Sequence, residues 1–186
     1  WELLAEPSTY LFGNADDMAW EVDFPGYGRT FPPPYGPADG KYFTTVLTLA
    51  PAGDEIVLDF AKSLIAAEKV GADEVTDHLS ISFSSTDYVG HFFGPSSLES
   101  EDNLHRLDRT LADLLAYVDK TVGLDRTLIV LSADHGASEV PGYLNSLGIG
   151  GNYFKFDEVD KSAAIAALKK EFGVSKELVD KFFQPY

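Results

Sequence analysis

Residues 78–94 read HLSISFSSTDYVGHFFG. Over 78–84 apolar and small residues alternate, with Leu79, Ile81 and Phe83 on one side and serines on the other, the period of a β-strand. Beyond it come Asp87 and His91, four residues apart. A second apolar run, TLIVLSADHG at 127–136, ends in the same two residue types, Asp134 and His135. Its first seven residues, 127–133, are apolar on both faces, as expected of a strand deep in a parallel sheet. The reading of these two stretches decides both the fold class and the chemistry.

Around them the sequence reads as helices. Residues 54–70 place Ile56, Phe60, Leu64 and Ala67 on one face, with Val57, Ala61 and Ile65 beside them. Asp54 and Glu55 stand at the positive end of that helix, Lys69 at its negative end, and Gly71 is placed to close it. Residues 97–122 carry a stripe of Leu104, Leu107, Leu111, Leu114, Val118 and Val122. Pro95 and Ser96 open this helix, Glu99 completes a capping box, and Gly123 ends it. Further helices are expected at about 161–172 and 175–183, after a Gly-rich turn at 148–151. The order helix, strand, helix, strand predicts an α/β fold with a parallel sheet.

Residues 1–50 have no clean period. They hold ten of the chain's 24 aromatic residues and six of its ten prolines, including FPPPYG at 31–36. So many rings predict an irregular segment pinned by aromatic packing. The chain thus divides into an aromatic, Pro-rich segment at 1–50, an α/β core portion at 51–145 that carries both acid–histidine pairs, and a helical extension at 146–186.

Composition bounds the function. At 186 residues the chain is long enough for a core. Its net charge of −16 argues against nucleic-acid binding by a basic surface. Cysteine is absent, which excludes disulfides and thiolate metal sites. No apolar run approaches the roughly 20 residues of a membrane span.

In parallel α/β sheets ligands bind beyond the C-terminal ends of the strands, which is where both pairs fall. Carboxylate with imidazole suits zinc, manganese or iron better than calcium or magnesium. If the chain coils at 87–91, Asp87 and His91 share one side. Asp134 and His135 point apart in a strand, and share a ligand only if the chain turns there, with Gly136 as the turn residue. His78 and His105 do not join: one lies at the far end of the first strand, the other on the acidic part of the long helix.

FSSTDYVGHFFGP at 83–95 and VLSADHGASEVP at 130–141 resemble the alkaline phosphatase superfamily, and within it the bacterial phosphate-irrepressible alkaline phosphatases related to type I phosphodiesterases and nucleotide pyrophosphatases. The resemblance extends to GRTFP at 28–32, APAGDEIVLDFAK at 50–62, HRLDRTLADLLAYVD at 105–119 and LKKEFG at 168–173. It implies two zinc ions a few ångströms apart. Asp87 and His91 match ligands of one, and Asp134 and His135 match ligands of the other. The implied reaction is hydrolysis of a small phosphate ester, monoester or diester, through a covalent phospho-threonine or phospho-serine. Export to the periplasm or beyond is likewise implied.

The family pattern also needs an early aspartate, a nucleophile, early basic phosphate-binding residues and a late histidine, none of which has a place here. Thr30 in RTFPPP is similar to a nucleophile motif of nucleotide pyrophosphatases. It lies too close to Asp87 in sequence and lacks the accompanying aspartate, so no catalytic residue is assigned. The expectation is therefore a central portion of the fold, truncated at both ends, that binds metal weakly or not at all and is inactive by itself. An exposed strand edge is then expected to favour dimerisation. The alternative is a non-catalytic binding or interaction module that retains the fold.

Overall fold

The computed structural model describes residues 1–153, 158–159 and 161–174. Among the described residues the helices are α1 (Phe43–Thr48), α2 (Ala52–Glu68), α3 (Ser85–Phe93), α4 (Leu98–Thr121), α5 (Pro141–Ser146) and α6 (Ala163–Phe172), of which α2 and α4 are the periodic stretches 54–70 and 97–122. The helix expected at about 161–172 is α6, capped by the Ser162 side chain. The one expected at 175–183 lies outside the described residues.

The centre of the fold is α3. Ser85, Val89 and Phe93 recur every four residues and are buried. Val89 and Phe93 pack with Tyr27, Val46 and Leu49, and Trp1, Phe24, Tyr35 and Phe92 close around this core. The aromatic first fifty residues therefore supply core, as their composition predicts. Phe24 meets the rings of Tyr42 and Phe92 edge-on at 5.2 and 5.8 Å, and the Tyr27 hydroxyl donates to the Leu49 carbonyl at 2.9 Å.

Helix α4 anchors the start of the chain. Asp102 is fully buried and accepts hydrogen bonds from Trp1 Nε1 (2.7 Å), Leu4 N (2.9 Å), Tyr10 Oη (2.5 Å) and Arg106 Nε (2.8 Å). The preceding residue, Glu101, accepts from Leu11 N and Phe12 N through its carboxylate. Turns within the segment pair some of its N–H groups, and for Leu4, Leu11 and Phe12 these carboxylates take the place of secondary structure.

Several sequence expectations need correction. The buried stripe of α2 is Asp54, Leu58, Ala61 and Ile65, while Ile56, Phe60 and Ala67 are exposed. Two apolar faces compete on that helix, and packing against α4 selects one. The helix ends at Lys69 in a left-handed conformation, not at Gly71. On α4, the Leu111 to Val122 part of the stripe is only half-buried and Leu104 is exposed; the buried residues crowd the first half instead. The α4 cap is Ser97, whose Oγ accepts from Ser100 N at 3.1 Å. Ser96 instead donates to Glu139 Oε1 at 2.5 Å. Glu99 turns inward and is 1% exposed.

The parallel sheet is absent among the described residues. Segments 78–84 and 127–133 carry no ladder, and the single bridge is Phe24 with Gly28. A strand is completed by its neighbours' N–H and C=O groups, which its own residues cannot replace. Nor is the second run covered: Leu128 is 90% exposed, and Val130 and Leu131 are each 79% exposed. Also among the described residues, no helix is long and apolar enough to cross a membrane.

The buried carboxyls Asp102 and Glu99 tie stability to pH in opposite senses. Burial presses the Asp102 pKa upward, but the hydrogen bonds from Tyr10, Leu4, Trp1 and Arg106 outweigh it and leave it below the usual value. Its stabilisation is present above the ordinary carboxylate range and fades as pH falls through the lowered value. Asp102→Ala strands four donors and is expected to cost about 3–5 kcal/mol in urea unfolding at neutral pH. Glu99 behaves in the opposite sense. Burial, aided by the charge of Glu21, raises it to about 9, and its Oε2 has no hydrogen-bond partner. The folded state holds this proton while the unfolded chain releases it, so stability is full below the unfolded pKa and declines as pH rises toward 9. Glu99→Gln is expected to remove up to about 1.4 kcal/mol per pH unit of that decline, read from urea melts between pH 5 and 9.

Candidate functional site

Helix α3 has a second face. Asp87 and His91 lie two residues out of register with Ser85, Val89 and Phe93, which on a helix is about half a turn. Their side chains therefore stand in solvent while the opposite face is locked in the core. His91 Nε2 lies 3.4 Å from Asp87 Oδ1. The separation of four predicts this neighbourhood, and it needs the helix to exist.

The second pair comes to the same place. His135 Nε2 is 3.6 Å from the same Asp87 Oδ1, across 48 residues of sequence. Asp134 attaches through His135: its Oδ1 accepts the His135 N–H at 3.1 Å, and its Oδ2 lies 3.6 Å from His135 Nε2. Chain turning at 134–135 thus puts neighbouring side chains on one side. The His135 ring also places Nδ1 3.0 Å from the Gly136 carbonyl. That contact first, then the charges of Asp134 and Asp87, hold the His135 pKa above the ordinary histidine value.

Gly136, read as the turn residue, has no positive φ, and a Cβ added there meets nothing within 4 Å. Close backbone approach is needed instead at Gly53, where a Cβ would come within 2.8 Å of Ser85 Oγ. His105 stays outside, near Glu101 and edge-on to Tyr10. Thr30 lies exposed in the N-terminal segment, beside the Phe31 N–H that donates to Asp16.

The donor set is two carboxylates and two imidazoles, the chemistry of a borderline divalent cation. Three of the four side chains already meet around one carboxylate oxygen. Among the described residues, however, no group of three or more His, Asp or Glu side chains has metal-holding geometry. The donors fit such an ion in type and in neighbourhood without forming a closed set.

Residues that support this site escaped the sequence reading. Asp54, read as a charge favouring the start of its own helix, is buried and accepts from Ser85 N at 3.1 Å. Asn103, also buried, donates from Nδ2 to Thr86 Oγ1 at 3.0 Å. The available signal was a polar residue on the same helical face as Leu58, Ala61 and Ile65.

Comparison with known proteins bears on the family and the fold. The family model for type I phosphodiesterases and nucleotide pyrophosphatases matches residues 9–182, and the chain belongs to that family, within the alkaline phosphatase superfamily. It is 40% identical over 166 residues to alkaline phosphatase PhoV of Synechococcus elongatus, covering 89% of this chain and 30% of that protein. It is 36% identical over 175 residues to alkaline phosphatase PafA of Elizabethkingia meningoseptica, covering 93% of this chain and 32% of the relative. The crystal structure of wild-type PafA superposes with a TM-score of 0.81 at 35% identity, over 93% of this chain and 33% of that one. The fold is thus shared with an alkaline phosphatase, and the chain spans about a third of the length of these relatives.

Proposed function

We propose that these 186 residues form the central part of a two-metal phosphate-ester hydrolase. In this reading Asp87 and His91 hold one zinc ion, and Asp134 and His135 hold the other. The observation that carries it is the meeting of His91 and His135 on Asp87, at 3.4 and 3.6 Å, in a chain of this family. Bound there, a pair of zinc ions would supply Lewis acidity toward the entering and leaving oxygens of the ester.

The chain's own contribution is positional. The core face of α3 fixes where Asp87 and His91 stand, and the turn at Asp134 brings His135 to them. Both carboxylates are exposed, so the site is open to small charged ligands. The phosphoryl-accepting threonine or serine is assigned outside these residues, as are a third histidine and the basic groups that hold the phosphate. The division at 1–50, 51–145 and 146–186 is kept in the same sense: core-supplying segment, ligand-bearing portion, and the start of an inserted or cap region. The 78–84 and 127–133 runs are taken as strands of a parallel sheet whose neighbours lie elsewhere in the parent enzyme. Substrates are small phosphate esters, and the family points to a periplasmic or secreted setting.

Two ligands for each ion give far less than a closed four-ligand site, for which apparent zinc binding is about 10–16 kcal/mol. Calorimetric zinc titration of the chain alone is expected to give an affinity weaker than micromolar, with no metal-dependent hydrolysis of p-nitrophenyl phosphate. Micromolar affinity together with turnover would reject the partial-enzyme reading. Extending the chain through its flanking coding sequence is expected to give turnover that Asp87→Ala abolishes; an active Asp87→Ala enzyme would remove Asp87 from the site.

The uncovered 127–131 run is a ready template for strand pairing. Sedimentation of the chain alone is expected to show self-association that rises with concentration and is suppressed by Val130→Lys. A clean monomer at high concentration would count against an open sheet edge.

A further inference from the structure

The first turn of α3 carries Asp87, and that turn has no cap of its own. Ser84 occupies the cap position and makes no side-chain cap bond. The opening N–H groups of a helix have no partner within the helix, so an uncapped first turn frays. Asp87 is the third residue of α3, inside that turn, whereas His91 is a full turn deeper. Any fraying would therefore separate the two side chains that the proposed metal site needs together.

One buried side chain from another helix does the capping, and a second holds a side chain of the same turn. Asp54, 3% exposed, comes from the first turn of α2 and accepts from Ser85 N at 3.1 Å. The Ser84 N–H and the Ser85 hydroxyl also face its carboxylate. Gly53 allows the approach, since a Cβ there would lie 2.8 Å from Ser85 Oγ and 3.0 Å from the Leu47 carbonyl. Asn103, 1% exposed on α4, donates from Nδ2 to Thr86 Oγ1 at 3.0 Å, one residue before Asp87. At the other end, Val22 N donates to the Phe92 carbonyl at 2.8 Å, and the Ser97 and Ser100 hydroxyls donate to the Gly94 carbonyl. The helix is thus held at both ends by residues outside it, of which Asp54, Asn103, Ser97 and Ser100 are buried.

We infer that Asp54 and Asn103 are positioning residues for the metal site: by gripping Ser85 and Thr86 they fix the first turn of α3 and hold Asp87 in line with His91. This rests on the metal-site reading above. Neither residue touches the site itself. Their effect passes through the backbone of α3, in the way that outer groups orient metal ligands and change affinity by about ten- to a hundred-fold when removed.

The test uses the whole 186-residue chain, labelled at histidine, with Mn²⁺ as the probe. Paramagnetic broadening of ring signals detects weak binding without turnover, and His105 reports non-specific attraction to the acidic surface. In the unmodified chain, His91 and His135 should broaden more than His105. Asp54→Ala should reduce the His91 broadening about ten-fold at equal Mn²⁺. It should also speed amide exchange at Asp87 and Tyr88 by about ten-fold or more. Asp54→Asn, which keeps an acceptor oxygen, should return both readings to within about two-fold of the original. Thr86→Val, which leaves Asp54 intact and removes the Asn103 acceptor, should give a smaller loss in the same direction.

Broadening at His91 that Asp54→Ala leaves unchanged in a folded chain overturns the inference, as does failure of Asp54→Asn to restore it. Should Asp54→Ala not fold, Thr86→Val decides, and unchanged His91 broadening in that variant overturns it. If the unmodified chain broadens His91 and His135 no more than His105, an outcome that two ligands per ion allow and that is recognisable before any variant is compared, amide exchange decides: exchange at Asp87 and Tyr88 that Asp54→Ala leaves unchanged overturns the inference.

Discussion

The burial of Val89 and Phe93 is the constraint on which the rest of this structure depends. These two side chains fix the rotation of α3 against Tyr27, Val46 and Leu49. Once that rotation is set, Asp87 and His91 have no choice of direction, because half a helical turn separates them from the buried face. A nine-residue helix is too short to be stable alone, so its existence also comes from that packing. The chemistry-bearing face is exposed because the other face is locked away.

The carboxylates of this chain divide by environment. Asp102 and Asp54 are buried and hydrogen-bonded, and they organise backbone that has no secondary structure or no cap of its own. Asp87 and Asp134 stand in water near histidines and bond little else. Glu99 and Glu21 are buried with an oxygen each left unpartnered, and both are pushed upward, to about 9 and about 7, first by burial. A net charge of −16 says nothing of this partition. Only the local solvent and donors decide whether an acidic residue is a strut, a neutral acid or an exposed anion.

Much of the helical content was legible because amphipathic periodicity and caps are local properties. The 54–70 and 97–122 predictions differ from α2 and α4 by one or two residues at each end. Which face of α2 is buried was not legible: Ile56 and Phe60 make as apolar a stripe as Leu58 and Ile65, and the partner helix breaks the tie. The cap of α4 moved from Ser96 to Ser97 for a related reason: only Ser96 has a Glu three residues on, but Glu139 draws its hydroxyl away and Ser97 accepts from Ser100 N. The strands expected at 78–84 and 127–133 illustrate a different limit. Their alternation and apolarity describe a side-chain environment, whereas a strand is completed by another segment's backbone.

By itself the sequence determined the residue types of the acid–histidine pairs, the spacing that lets Asp87 and His91 share a helical face, and the aromatic supply of the core. Each follows from covalent order and from one period of local geometry. Tertiary structure alone decided that His135 meets Asp87 across 48 residues, that Asp54 caps another helix instead of its own, and that Asn103 reaches Thr86. Those contacts join segments whose separation along the chain carries no information about their separation in space. They form only where the burial of Val89 and Phe93 leaves the backbone of α3.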